Sequence, residues 1–299
     1  MRRSLRGLSV AVIAASVICV LAAMAAWWVP AFDSLRIVSP YAAVVILGLA
    51  VLGRGLTQGV RWAVLPVAMI GIWPVVDLTW PVANAAPTGA TLRLLQHNLY
   101  YKNPATDLTA RLGDFDIATL QETRGAKVAL SALPSGWTVI TCAVKTLTQT
   151  AVVSRFPALA SGCLANGEAW MRVATPGGDV TIVSLHLVWP WPAGGNAQAR
   201  QVARLTSDIA ALPGPMIVGG DFNQMPWSAA TTRIARASNT RPIDGIRATF
   251  IKKNGLVRLP IDHVLVPPGW NARATVTGQN GSDHEAVLAE INVGRSVGG

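Results

Sequence analysis

The stretch Met216–Ser228 reads MIVGGDFNQMPWS. It follows the break Pro213-Gly214-Pro215, and its apolar start reads as a buried strand entered from a turn. The strand closes on Asp221 and Asn223, and Ser228 is placed to cap a helix over residues 229–237. Taken alone, an Asp before an aromatic residue is often a turn residue, and an Asn at a strand end often closes a turn. The pattern gains meaning because other strands in the chain end the same way.

Working outward, strands are predicted at 91–100, 116–122, 137–142, 150–154, 169–175 and 180–187, then at 259–266 and 286–293. Helices are predicted at 104–112, 124–133 and 196–212. The last has Asn196 as its cap and Val202, Leu205 and Ile209 at helical spacing. Strands interspersed with helices imply an α+β domain with substantial sheet. No solenoid or propeller period is visible.

The acid–base and metal-ligating residues sit at the ends of these strands. Asn98 follows an apolar half-strand, Glu122 ends the next, and His186 ends the run from Val180. Asp262 and His263 interrupt LPIDHVLV, while Asp283 and His284 precede the last strand. Hard divalent cations take oxygen ligands, and Mg²⁺ typically uses one or two protein carboxylates and several waters. His97 alternates away from Asn98 and His263 away from Asp262, so both read as structural. No GxSxG or GxxxxGK[ST] motif is present, which favours direct attack by water over a covalent intermediate.

In order, HNLY with Asn98, LQE with Glu122, VVSRFP, SLHL with His186, GGDFNQMPWS, IDHVLV and SDHEAV resemble the endonuclease/exonuclease/phosphatase superfamily. The match is to its membrane-anchored bacterial branch and covers roughly residues 92–291. The resemblance implies a four-layer α/β/β/α sandwich and hydrolysis of phosphate esters with Mg²⁺, Mn²⁺ being the alternative. Carried over by motif, the metal ligands would be Glu122, Asn98 and Asp283. Asp221 would orient or deprotonate water, with Asn223 helping and holding a phosphoryl oxygen. His284, oriented by Asp262, and His186 would face the phosphate. The counterpart of His186 commonly has an acidic orienter; Glu168 is the candidate here, an ordinary surface role being the other reading. Arg155 is either a salt-bridge partner or a phosphate contact.

Composition adds a second part to the protein. Of 299 residues, 51% are hydrophobic and 13% charged, about half the ~25% of an average soluble chain. That excludes a wholly soluble, disordered or coiled-coil protein. The apolar excess is concentrated in Gly7–Val29, Ile37–Gly53 and Trp62–Val76, read as three membrane spans, the third the shortest. Residues 1–81 are therefore the anchor, 82–90 a tether, 91–293 the catalytic domain and 294–299 a flexible tail. A cleaved signal peptide over residues 1–26 is the alternative for the first span. Arg2, Arg3, Arg6, Arg54 and Arg61 flank the cytoplasmic ends by the positive-inside rule, which sends the domain outside a bacterial plasma membrane or into the periplasm.

Net charge is +10, with +6 of it from Val82 onward. A basic domain is compatible with DNA or RNA, the favoured substrates, and with phospholipid; no protein partner is expected. Lys252-Lys253 and the arginines at 233, 236, 241 and 247 are moderate clusters, which could equally be solvated faces. Trp189 and Trp191 follow His186 on a rim loop, suited to stacking on bases, resting on lipid or packing the loop; Trp227 could also lean on lipid. A catalytically silent binding domain is the contrasting class, opposed by the full polar set. Cys142 and Cys163 could pair in an oxidising compartment or stay free and buried.

Overall fold

The structure is a computed structural model that describes residues 2–52, 57–80, 90–143, 149–252 and 255–294. Three helices come first: α1 (Arg2–Met24), α2 (Ser39–Leu52) and α3 (Gln58–Thr79), with 3-10 turns at Ala25–Trp27 and Pro30–Ile37. The apolar stretch Gly7–Trp27 and helix α3 are each long enough to cross a membrane. The third segment, expected to be the shortest, is thus a full span, because the helix runs on through Asp77 to Thr79. The middle one is the short one. At ~1.5 Å per residue α2 is only about 21 Å long, and it reaches span length only together with Pro30–Ile37, across a 58° bend. The helices pack through small residues: a Cβ on Gly71 would lie 2.9 Å from the Cβ of Ala43. Arg54 and residues 82–89 of the expected tether lie outside the described residues, as do residues 295–299 of the tail.

The domain begins with β1 (Ala90–Asn98), β2 (Ile117–Gln121), helix α4 (Lys127–Ser131), β3 (Thr138–Cys142) and β4 (Thr150–Ser154). It continues with β5 (Ala158–Cys163), β6 (Ala169–Thr175), β7 (Gly178–His186), helix α5 (Ala197–Ala210) and β8 (Met216–Asp221). After helix α6 (Ala229–Ala237) come β9 (Arg241–Pro242), β10 (Phe250–Lys252), β11 (Val257–Leu259), β12 (Asp262–Val266), β13 (Ala272–Val276) and β14 (Val287–Val293). One six-stranded sheet has the order β13-β14-β1-β2-β4-β3, the other β5-β6-β7-β8-β12-β9, and β10-β11 is a separate hairpin.

Alternation along the strands divides the apolar residues into layers. Leu92, Leu94, Met171, Ile182, Ile217 and Val264 meet between the sheets. Leu95, Phe115 and Leu120 pack outward against α4, and Leu185 and Val218 pack outward against Val202, Leu205 and Ile234 of α5 and α6. The result is the α/β/β/α sandwich.

Two glycines of the GGD run answer to close approach. A Cβ on Gly219 would stand 2.2 Å from Thr119 Oγ1 of the facing sheet, and one on Gly220 2.3 Å from the Leu185 carbonyl of β7.

The helix predicted at 104–112 is instead a succession of turns, with Leu108 N–H donating to the Ala105 carbonyl and Ala105 at φ +49°. The segment 259–266 divides at Pro260 into the end of β11 and β12. Strand β5 escaped the sequence reading because it lies exposed at the sheet edge and shows no buried alternation. Cys142 and Cys163 form a disulfide that joins β3 to β5, the edge strands of the two sheets.

Candidate active site

Strand register assembles the site from both sheets. In one, β1 and β2 run parallel with Asn98 beside Gln121, so Asn98 and Glu122 emerge at the same edge. In the other, Asp221 on β8 is flanked by His186 on β7 and Asp262 on β12. Asp283 and His284 arrive from the segment before β14, where His284 bridges to Phe250 of the hairpin. Glu122, His186, Asp221, Asp283, His284 and Phe250 line one cavity of about 350 Å³, and Asn98 and Asp262 are hydrogen-bonded to its lining residues Asp221 and His284. Glu122 is held at φ +54°, a left-handed conformation that non-glycine residues rarely adopt, and Asn223 at +48°.

Asp221 is at the centre. Its Oδ2 accepts from Asn98 Nδ2 at 3.0 Å and lies 3.6 Å from His186 Nε2 and 3.8 Å from His284 Nε2. Its Oδ1 accepts from the Asn223 N–H at 2.8 Å. The Asn223 side-chain amide donates to the Leu187 carbonyl at 2.8 Å, an arrangement that positions the loop and Asp221. His284 Nδ1 lies 2.8 Å from Asp262 Oδ2, and Gln96 Nε2 donates to Asp262 Oδ1 at 3.1 Å. Gln96 was not singled out from the sequence; its position in phase with Asn98 on β1 was the available signal. It also shares hydrogen bonds with Gln121 and Thr119.

These contacts set the charges. Burial opposes a charged His284, but the carboxylates of Asp262, Asp221 and Asp283 overcome it and raise the imidazole to about 10. Burial, then the charge of Asp262, raises Asp221 to about 6. For Asp262, burial works toward the neutral acid, and the His284 cation outweighs it and lowers the carboxyl. Burial lowers His186, favouring its neutral form.

The donor set suits a hard divalent cation. Asn98 places its NH₂ between Glu122 Oε1, at 3.2 Å, and Asp221 Oδ2, at 3.0 Å, so a positively polarised group stands between two carboxylates. Glu122 Oε2 accepts from the Tyr101 N–H, while Asn98 Oδ1 accepts from Tyr100 N–H. Asp221, Asp262 and His284 also offer three ligand atoms within 4.8 Å of one another. A cation bound between Asp262 and His284 would replace their hydrogen bond. The side of the cavity toward Glu122, Asp221 and Asp283 also carries carboxylate oxygens, the donor type that hard divalent cations take.

The remaining candidates divide clearly. Glu168 is buried, which rules out a surface role, and it accepts from Gln201 Nε2 at 3.0 Å. Gln201 in turn donates to the backbone carbonyl of His186, while ring Nδ1 of His186 is buried without a partner. Glu168 therefore holds the strand end rather than the ring. Arg155 pairs with Asp116 at 2.9 Å, away from the cavity. His97 and His263 bond the carbonyls of His284 and Gln224, and burial lowers both to about 4, consistent with structural roles.

Comparison with known proteins agrees with this geometry. A model of the Endonuclease/Exonuclease/phosphatase family matches residues 95–284, and the chain belongs to that family. The sandwich and its carboxylate–histidine centre define a metal-dependent phosphoric ester hydrolase, here preceded by membrane-spanning-length helices. A UPF0294 protein of Vibrio cholerae is 28% identical over 250 residues, 74% of this chain and 84% of its own. Among solved structures, humanized TDP2 of D. rerio superimposes with a TM-score of 0.55 at 15% identity, over 68% of this chain and 99% of its own. Sphingomyelinase C of Streptomyces griseocarneus gives 0.50 at 18%, over 67% and 99%. Both share the fold.

Proposed function

We propose that the protein is a Mg²⁺-dependent phosphodiesterase on the outer face of a bacterial plasma membrane, acting by direct attack of water. The observation that carries this reading is the single cavity shared by Glu122, Asp221, Asp283, His186 and His284. Glu122, Asp283 and Asn98 would hold the cation, Asn98 by turning its amide oxygen inward. A cation held there would supply polarisation of the phosphoryl group and acidification of water. Asp221, near neutrality in its proton affinity, takes the proton of the attacking water. His284, kept cationic by Asp262, faces a phosphoryl oxygen, and His186 faces it from the other side. Asn223 fixes Asp221 through its backbone N–H.

Orientation is supported by the helix ends. The backbone carbonyls of Trp27, after α1, and of Leu78, near the end of α3, both accept hydrogen bonds from the domain, which supports a reading in which the chain returns across the membrane between them. The N-terminus and the second loop then share the opposite side, where the positive-inside rule places Arg61 in the cytoplasm. The Cys142–Cys163 disulfide fits an oxidising compartment outside.

Nucleic acid is the substrate class suggested by net charge, and the aromatic wall of Tyr100, Tyr101 and Trp189 would stack on bases. The similarity of fold to D. rerio TDP2, which has been solved complexed with single strand DNA product, points the same way. A phospholipid is the second reading, favoured by where the cations lie. Among the described residues lining the cavity, Lys252 is the only Lys or Arg. Arg233 and Arg236 sit over Trp27, and Arg241 pairs with Asp244. Lys253 lies outside the described residues.

The full chain should hydrolyse a soluble diester such as bis(p-nitrophenyl) phosphate with Mg²⁺, and Mn²⁺ should be compared with it; a chelator should stop turnover. Glu122→Ala, Asp221→Ala and His284→Ala should each lower turnover by roughly two or more orders of magnitude. Undiminished turnover in all three folded variants would sink the assignment.

A further inference from the structure

The anchor is bound to the catalytic domain by more than its covalent link. Asp33, in the 3-10 turn between the first two helices, is buried, and its two oxygens accept from the N–H groups of Ala229 and Ala230 at 2.7 and 2.9 Å. It thereby satisfies two of the free donors at the start of α6 and sets a negative charge against the positive helix end. Arg36 and Trp227 exchange bonds, with Arg36 Nη1 donating to the Trp227 carbonyl and Trp227 Nε1 to that of Arg36, each at 2.8 Å. A second contact joins the Gly245 N–H to the Leu78 carbonyl at 2.8 Å.

Both contacts lie close along the chain to residues that line the active-site cavity. Ser34 Oγ donates to the Trp191 carbonyl. Trp191 is two residues from Trp189, which lines the catalytic cavity and meets Phe250 at 5.7 Å between ring centroids. Two residues extend at most about 7 Å, so the cavity rim is that close in chain terms to the anchor's loop. On the other side, Gly245 is five residues before Phe250, which lines the same cavity. Short stretches of chain thus connect the walls of the active site to both places where the domain meets the ends of its apolar helices. Trp28, Trp80, Trp189, Trp191 and Ile246 are exposed along these segments, the kind of side chains that settle at headgroup depth.

Resting on the phosphodiesterase reading above, we propose that the docked anchor holds the active site at the bilayer surface, and that the substrate is the phosphodiester of a membrane phospholipid. Water's oxygen bonds to phosphorus and one P–O ester bond breaks. The departing alkoxide takes a proton, leaving an alcohol and a phosphomonoester. Docking raises the effective concentration of lipid phosphate at the cavity and leaves soluble substrates unaffected.

The test uses the full chain reconstituted into vesicles of phosphatidylethanolamine and phosphatidylglycerol with Mg²⁺. Phosphomonoester formation is followed by phosphorus NMR, with bis(p-nitrophenyl) phosphate and a single-stranded oligonucleotide assayed in parallel. The lipid should be hydrolysed, and Asp33→Ala should lower that rate by about tenfold or more while soluble-diester turnover stays within about twofold. Asp33→Asn keeps one oxygen for the two N–H groups and should show the same separation at smaller size, which covers failure of the alanine variant to fold. Hydrolysis of the soluble diester and oligonucleotide with intact vesicles would overturn the lipid proposal and leave the phosphodiesterase standing. Equal lipid turnover in wild type and folded Asp33→Ala would overturn the docking role. No turnover of any substrate would remove the phosphodiesterase reading and this one with it.

Discussion

Oδ2 of Asp262 lies 2.8 Å from Nδ1 of His284, and both side chains are buried. A carboxylate so placed selects the ring's tautomer and holds its charge. Since the ring's proton affinity rises from 6.5 to about 10, its folded form binds the proton more tightly than its unfolded form. The resulting stability is complete below pH 6.5 and is lost as pH rises through about 10. Urea unfolding of the metal-free chain should show this loss, and Asp262→Asn should flatten it. A His284 ring that titrates near 6.5 by NMR in the wild type would sink the pairing.

Gln96 acts one bond further back. Replacing it with Leu leaves Asp262 Oδ1 without its donor and should cost about 1–3 kcal/mol of stability. Because Gln96 positions the acid that charges His284, Gln96→Leu should also shift the titration of His284. A stability loss with the His284 titration unchanged would mark Gln96 as packing alone.

Asp221 must lose its proton to serve as base. Burial and Asp262 place that loss at about 6 without a cation, and a bound cation would move it lower. Turnover should therefore rise with pH along a limb centred at or below 6. In Asp221→Asn the limb should vanish and kcat should fall by roughly two orders of magnitude or more. A limb that persists in the variant would assign the base elsewhere.

The disulfide closes a loop with a sequence separation of 21 between Cys142 and Cys163. Constraining such a loop in the unfolded chain is worth about 3 kcal/mol, so the Cys142→Ser, Cys163→Ser variant should melt several degrees lower. Turnover at a temperature where the variant is folded should be unchanged, since the bridge joins sheet edges away from the cavity. Equal melting temperatures would show that the bridge adds no stability.

Much of this protein was legible before its coordinates. Apolar strands ending at or beside Asn98, Glu122, His186 and Asp221, with Asp262 interrupting another apolar run, announced a site at one sheet edge, because side-chain alternation and strand ends are local properties. The residues by themselves implied an α+β domain with substantial sheet, the sandwich came from the family resemblance that the ordered motifs carry, and the anchor from uninterrupted apolar length. Elements with no local signal were missed: the exposed edge strand β5 shows no buried alternation, and the turns at 104–112 carried enough helix-forming residues to read as a helix.

What sequence alone determined is the chemistry, since the kinds of side chain and their spacing along each strand are written there. Tertiary structure alone decided who partners whom. Cys142 with Cys163, Gln96 with Asp262, and Asp33 with a helix end 196 residues away are contacts between distant segments. Their energies come from burial and geometry that exist only once the layers have closed. In the sequence, Asp33 and Arg36 are two opposite charges in a loop. In the fold they seat a catalytic domain against its membrane helices.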